Sequence, residues 1–141
     1  MSIYADSSFF VSLYVRDRHT PQVLRHMASK PAIWMTPFHE AEIANALSQS
    51  VFRRLITARQ VSLANDNLVE DVRSGLWRQI DFPAAAFQRS VALAHRYGSQ
   101  IGCRTLDTLH VACALELKAG AFWTFDERQR KLAKAAGLKT S

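Results

Sequence analysis

The chain has 141 residues, 48% of them hydrophobic and 21% charged. That size and balance fit one globular domain over residues 1–141 and exclude a disordered or fibrous chain. Eighteen Lys and Arg against twelve Asp and Glu leave a net charge of +6, which favours polyanions such as nucleic acid and equally serves solubility.

No apolar run approaches the ~18 residues of a membrane span. Cys103 and Cys113 stand ten apart and fit no zinc or haem spacing. The first residues read as a strand instead of a leader, so a cytoplasmic setting, free thiols and no membrane partner are expected.

Ser2 to Asp6 is short and weakly alternating, as a buried strand would be. A helix is predicted from Ser7 to about Tyr14, with Phe9, Phe10, Leu13 and Tyr14 on its apolar face. Val23, Leu24 and Met27 mark another helix between Pro21 and Ser29, and Ala32 to Met35 a second strand. Thr36-Pro37 is a start signal, a hydroxyl cap before a proline at the first helical position. The helix it opens runs towards Phe52. Thr57 caps a further helix ending near Gly75, and Leu76 to Ile80 reads as a third strand. Pro83 opens a helix to about Tyr97, stopped by Gly98. Thr105 caps an apolar helix from Leu106 to Leu117, ended by Gly120. Ala121 to Phe125 is a fourth strand, and Asp126 to Ala136 a last helix closed by Gly137. The alternation predicts an α/β fold, a central parallel β-sheet of four to five short strands with helices on both faces.

Four carboxylates fall where a solvated surface does not explain them. Asp6 and Asp126 end the first and fourth predicted strands, whose carboxyl ends face the ligand crevice of an open parallel sheet. Glu42 and Asp107 lie within apolar helices. Each has a structural alternative: Asp6 and Asp126 as helix caps, Asp107 as a partner of its helix dipole. Gathered at one rim, unneutralised carboxylates repel each other and lose hydration, and a cation is the natural way to keep them ionised. Oxygen ligands without a His or Cys cluster suit Mg²⁺ or Mn²⁺, and a hard cation in a basic protein points to phosphate chemistry.

The stretches that carry these acids are Ile3-Tyr4-Ala5-Asp6-Ser7-Ser8, Glu42-Ile43-Ala44-Asn45-Ala46-Leu47, Arg104-Thr105-Leu106-Asp107-Thr108-Leu109-His110-Val111-Ala112 and Thr124-Phe125-Asp126. In that order the chain resembles the PIN-domain nucleases, and within them the VapC-type toxins of toxin–antitoxin pairs, from about Ile3 to Leu138. From Phe52 to Gln100 it matches only in helical character. The resemblance implies a PIN fold and a metal-dependent endoribonuclease that leaves 5′-phosphate and 3′-hydroxyl ends. It places Asp6, Glu42, Asp107 and Asp126 at the catalytic and metal-binding positions for Mg²⁺ or Mn²⁺, with Ser7 and Thr124 as supporting hydroxyls. Asp126 matches the weaker ligand. It also implies an RNA substrate (tRNA or another structured RNA among the candidates), a cognate antitoxin and a homodimer. Glu40 competes with Glu42, but two residues along a helix is about 200° round it, and the spacing to Ile43-Ala44-Asn45-Ala46-Leu47 favours Glu42.

His110, three after Asp107, could bond it across one turn, and His39, three before Glu42, could support that acid in the same way. No glycine-rich phosphate loop is present, which removes nucleotide-binding readings. A response-regulator-like phosphoacceptor would need paired acids before the first helix and a lysine that this chain lacks. An orphan or housekeeping PIN nuclease, and a non-catalytic RNA- or protein-binding module of the same fold, remain as alternatives. Arg16 and Arg18, Arg53 and Arg54, and Arg128, Arg130, Lys131 and Lys134 follow acid-bearing segments and could flank the rim to grip phosphates. Phe9, Phe10, Tyr14, Phe52, Leu55, Ile56 and Trp77 exceed what one small sheet would cover. The first helix and the Thr57 helix are therefore expected to carry an exposed apolar stripe for partners.

Overall fold

The computed structural model describes residues 1–141. In chain order it contains β1 (Ser2–Ala5), α1 (Ser7–Tyr14), α2 (Thr20–Met27), β2 (Ala32–Met35), α3 (Pro37–Phe52) and α4 (Ala58–Arg73). There follow β3 (Trp77–Gln79), α5 (Ala85–Ile101), α6 (Thr105–Glu116), β4 (Ala121–Trp123) and α7 (Glu127–Ala135). The four strands form one sheet in the order β3-β2-β1-β4, and every pairing is parallel. This is the predicted α/β architecture.

Strand order locates the crevice. From β1 the chain builds outward through β2 and β3, then returns to the other side of β1 with β4. The reversal lies between β1 and β4, and ligands of open α/β sheets bind outside the carboxyl ends of the strands at such a point. Asp6 and Asp126 follow those two strands. The Asp6 N–H donates to the Trp123 carbonyl at 3.0 Å, so the ladder continues to the lip of the crevice.

Alternation along the strands supplies two cores. Ile3, Ala5, Ile33, Met35, Trp77 and Ala121 pack with Phe9, Phe10, Val23, Ile43, Leu47 and Ala64 of α1 to α4. On the opposite face Tyr4 and Phe122 pack with residues of α5, α6 and α7, among them Leu93, Val111, Cys113 and Leu132. The sheet is thus covered on both sides, as a parallel sheet requires. Truncating a ring such as Phe10, which is wholly buried, should cost about 3–5 kcal/mol.

Three helix boundaries and one surface expectation differ. Gly98 lies inside α5, which runs to Ile101 and ends at Gly102 in the left-handed conformation, φ 73°. A glycine in mid-helix lowers propensity without breaking the bond ladder, whereas only the second glycine has the turn to fill. Thr105 is the first residue of α6 and not its cap, since Arg104 holds that position without a side-chain bond. Lys118 at φ 54° turns the chain after α6, before Gly120 is reached. Phe9, Phe10 and Trp77 are buried, and α1 carries no exposed stripe. Exposed hydrophobics instead include Phe52 at the end of α3, Leu55 after it, Leu63 and Val69 on α4, and Phe87 and Val91 on α5. No helix is long and apolar enough to cross a membrane.

Candidate active site

The N-terminus of α1 forms the floor of the site. Asp6 is buried, and its Oδ1 accepts from the Ser8 N–H at 3.1 Å and the Ser8 hydroxyl at 2.5 Å. Asp6 is therefore the α1 cap, one of its structural alternatives. Its Oδ2 has a single long contact, with the Thr124 hydroxyl at 3.4 Å. Burial raises the Asp6 pKa above the ordinary value of 3.8, against the opposing pull of His110 and the Ser8 bond.

Glu42 projects from α3 into the same space. That helix starts on a capping box in which Thr36 accepts from the His39 N–H and His39 Nδ1 accepts from the Thr36 N–H at 3.0 Å. The box fixes the His39 tautomer, so its Nε2–H donates to the Ala5 carbonyl at 2.8 Å. Burial holds the His39 pKa down to about 3, so the ring stays neutral. His39 consequently ties α3 to the residue before Asp6 and makes no bond to Glu42. Glu40 turns away, accepting from Gln79 at 3.3 Å beside a separate surface depression. Of the two glutamates, the cleft takes Glu42.

Both contacts of Glu42 reach one oxygen. The Ser7 hydroxyl donates to Oε1 at 2.8 Å, and His110 Nε2 bonds the same atom. His110 is buried, pairs through Nδ1 with the Tyr4 hydroxyl at 2.8 Å, and stacks on Phe38 with centroids 4.3 Å apart. Burial pulls the Glu42 pKa up, but the hydrogen bond and charge of His110 and the Ser7 bond outweigh it and leave it below 4.5. The expected His110–Asp107 bond is absent. Packed against Tyr4 and Phe38, the imidazole serves the acid 68 residues away instead of its helix neighbour.

Asp107 and Asp126 form the opposite side. Asp107 lies on the first turn of α6, and no side chain bonds its carboxylate. Its pKa is raised by burial first, then by the charges of Asp126, Asp6 and Glu42. Asp126 caps α7 through Oδ1, which accepts from the Gln129 N–H at 2.8 Å. Thr124 accepts from the Asp126 N–H at 3.0 Å and donates to Gln129 at 2.5 Å. Buried Gln129 in turn donates to the Asp107 carbonyl at 3.1 Å, joining the two acidic helix starts.

Asp6, Ser7, Glu42, Asp107 and His110 line a cleft of about 300 Å³. Asp126 does not line it. It shares a neighbouring depression of about 390 Å³ with Asp107, Arg104 and Arg128, so Asp107 stands at the boundary between the two. Each of the four acids keeps at least one oxygen free of a strong protein bond, and these are the donors a hard cation could use. No three His, Cys, Asp or Glu side chains are grouped closely enough to hold a metal ion as they are placed here, so a hard cation at this rim would have to draw most of its ligands from water.

The basic groups divide. Arg128 and Arg104 border the depression, the second being a residue the sequence reading left out. Its position before the Asp107 helix was the available signal. Arg130 is engaged with the Thr124 carbonyl at 2.6 Å. Arg53 and Arg54 stand at the far end of α3, roughly 16 Å along the axis from Glu42 at 1.5 Å per residue, and do not flank the rim.

The family profile described as PIN domain matches residues 3–135. No curated protein sequence matches the chain. Among solved structures, VapBC2 from Rickettsia felis, bound to a DNA fragment from its promoter, aligns at TM-score 0.70 and 15% identity, covering 100% of this chain and 98% of that one. Mycobacterium tuberculosis VapC20, described as a Sarcin-Ricin loop cleaving toxin, aligns at TM-score 0.69 and 19% identity, covering 96% and 95%. FitAcB from Neisseria gonorrhoeae aligns at 0.66 and 16%, covering 98% and 95%. At these identities the likeness is one of fold.

Proposed function

The chain belongs to the PIN-domain family, and from that premise we propose that it is a metal-dependent endoribonuclease, the toxin of a toxin–antitoxin pair. The observation that carries the reading is the cleft at the β1/β4 reversal, where Asp6, Glu42 and Asp107 converge and Asp126 adjoins. Asp107 has a raised pKa and no bonded partner to support its charge. A divalent cation would relieve that repulsion, and a phosphodiester is a substrate such a cation can polarise.

Asp6 and Asp107 would hold Mg²⁺ or Mn²⁺ through their free oxygens, with Asp126 acting from the neighbouring depression through its charge or a bridging water and Glu42 adding to the same charge. When bound, the ion would activate a water and stabilise the leaving oxygen. The chain's own residues do the placing. Ser7 and His110 occupy Glu42 Oε1 and so leave Oε2 to orient the attacking water. Thr124 and Gln129 lock the end of β4 to α6 and keep Asp126 beside Asp107. Arg104 and Arg128 are placed to meet the phosphate next to those acids.

The substrate we assign is RNA, with structured RNA as the class, in keeping with the description of VapC20. The apolar residues around α4 (Phe52, Leu55, Leu63 and Val69) offer area for an antitoxin or for a second copy in a homodimer. The cytoplasm, where such RNA is found, is the working compartment. The test is RNA cleavage by the purified protein with Mg²⁺, Mn²⁺ or EDTA. Cutting is expected with either ion and not in EDTA, leaving 5′-phosphate and 3′-hydroxyl ends. Full-rate cutting in EDTA, or cyclic phosphate products, would sink the mechanism.

A further inference from the structure

At the mouth of the cleft two rings lie flat on each other. The His19 imidazole and the Phe125 ring have centroids 4.1 Å apart and planes within 3° of parallel. Phe125 packs against the sheet core. His19 lines the cleft together with Asp6, Glu42 and Asp107, and both rings are half-buried. Phe125, one residue before Asp126 in the chain, is thus the backing and His19 the plate over it.

The turn that presents His19 is stiff. Asp17 accepts from the Ser12 hydroxyl and from the His19 N–H, each at 2.8 Å. The Asp17 N–H donates to the Thr20 hydroxyl at 2.9 Å, and that hydroxyl donates to the Ser12 carbonyl at 2.6 Å. Four bonds therefore fix the five-residue segment between α1 and α2. Arg18 Nε donates to His19 Nε2 at 3.3 Å, bringing a guanidinium to the edge of the plate.

A fixed planar ring beside a phosphate-handling site favours one kind of ligand. A sugar or a phosphate gains little from the face of an imidazole. A nucleobase gains stacking over its whole surface, and the neighbouring guanidinium can take its phosphate. Bases inside an A-form duplex are already stacked and cannot reach such a plate, whereas bases in loops and bulges can be splayed onto it. We propose that His19, backed by Phe125, is a stacking platform for one unpaired RNA base adjoining the scissile phosphate. The proposal rests on the nuclease reading and deepens it. Substrate choice then depends on an unpaired base at the cut as well as on the acids.

The test uses a 12-nucleotide single-stranded RNA centred on a bond the wild-type protein cuts in Mn²⁺, and a set of the same RNA with one abasic site at each position. Binding is measured by fluorescence anisotropy in EDTA for wild type, His19→Ala, His19→Phe and His19→Lys. His19→Ala should weaken binding of the intact RNA by about tenfold, and His19→Phe should stay within about twofold of wild type. One abasic position next to the cut should weaken wild type by a similar factor and have no further effect on His19→Ala. Melting curves show whether each variant is folded, and if His19→Ala is not, His19→Lys carries the same expectation. Equal binding by wild type and the folded variants, a loss spread over every abasic position, or full binding by His19→Lys would overturn the platform. If wild type cuts no RNA, the nuclease reading fails and the platform falls with it. If it cuts and the His19 variants behave as wild type, only the platform fails.

Discussion

The two helices that wall the cleft treat their acids in opposite ways. On α3, Glu42 has a serine hydroxyl and a buried imidazole on one of its oxygens, and its pKa is lowered in spite of burial. On α6, Asp107 has no bonded side chain, and burial and three neighbouring acids raise its pKa. Ionised Glu42 contributes to the fold above its ordinary pKa of 4.5, and that contribution is lost as pH falls through its lowered value. Ionised Asp107 opposes the fold. Between 3.8 and its raised value the native state binds the extra proton, so stability declines as pH rises through that window. The acid of one wall is partnered within the protein, and that of the other is not.

The largest expected effect breaks the weaker wall. Asp107→Asn removes the unsupported charge, and cleavage of RNA in Mg²⁺ should fall by about a thousandfold. In EDTA at pH 7 the same variant should melt at a higher temperature than wild type, because an uncompensated carboxylate has become neutral. Gel-based cleavage rates and circular dichroism melts give the two readouts. A variant that loses cleavage and also melts lower in EDTA would show that Asp107 has a structural partner after all.

Glu42→Gln tests the other wall and should reverse the sign of the stability change. Cleavage should drop by about a hundredfold, and the melting temperature at pH 7 should fall, since a neutral amide cannot match a carboxylate as partner for His110 and Ser7. Glu40→Gln should stay within about twofold of wild type in both assays, its side-chain hydrogen bond being to the amide of Gln79, away from the cleft. Loss of cleavage in Glu40→Gln with Glu42→Gln active would mean that the register of α3 is wrong.

What was legible in the sequence was local. A hydroxyl before a proline marks the start of α3, and acids at the ends of short apolar strands mark α1 and α7, because caps and period-2 runs act over a few residues. The end of α5 and the residue that turns the chain after α6 differ from expectation for the same reason. Gly98, Gly102, Lys118 and Gly120 differ in the backbone angle each takes, which composition does not reveal. The bond from His110 to Glu42 spans 68 residues and the one from His110 to Tyr4 spans 106. Both follow from β1 lying between β2 and β4, a tertiary outcome that no periodicity encodes. The same order buries Phe9, Phe10 and Trp77 together, which is why α1 carries no exposed apolar stripe, whereas α4 and the end of α3 keep exposed apolar residues.

The smallest effect concerns Asp126, which has both a fold role and a candidate chemical one. Its Oδ1 caps α7 through the Gln129 N–H, and its charge is among those that raise Asp107. Asparagine keeps the cap and removes the charge, whereas alanine removes both. Asp126→Ala should cost about 1 kcal/mol of unfolding free energy, and Asp126→Asn should lie within about 0.5 kcal/mol of wild type. Cleavage should be reduced by about tenfold in both, and part of it should return as Mn²⁺ is raised, because Asp126 stands outside the main cleft and would contribute through charge more than through direct contact. Urea titrations compared with the cleavage rates separate the roles. If Asp126→Asn cleaves as wild type while Asp126→Ala does not, the carboxylate serves only to start α7, and Asp107 is the one functional acid on that side of the site.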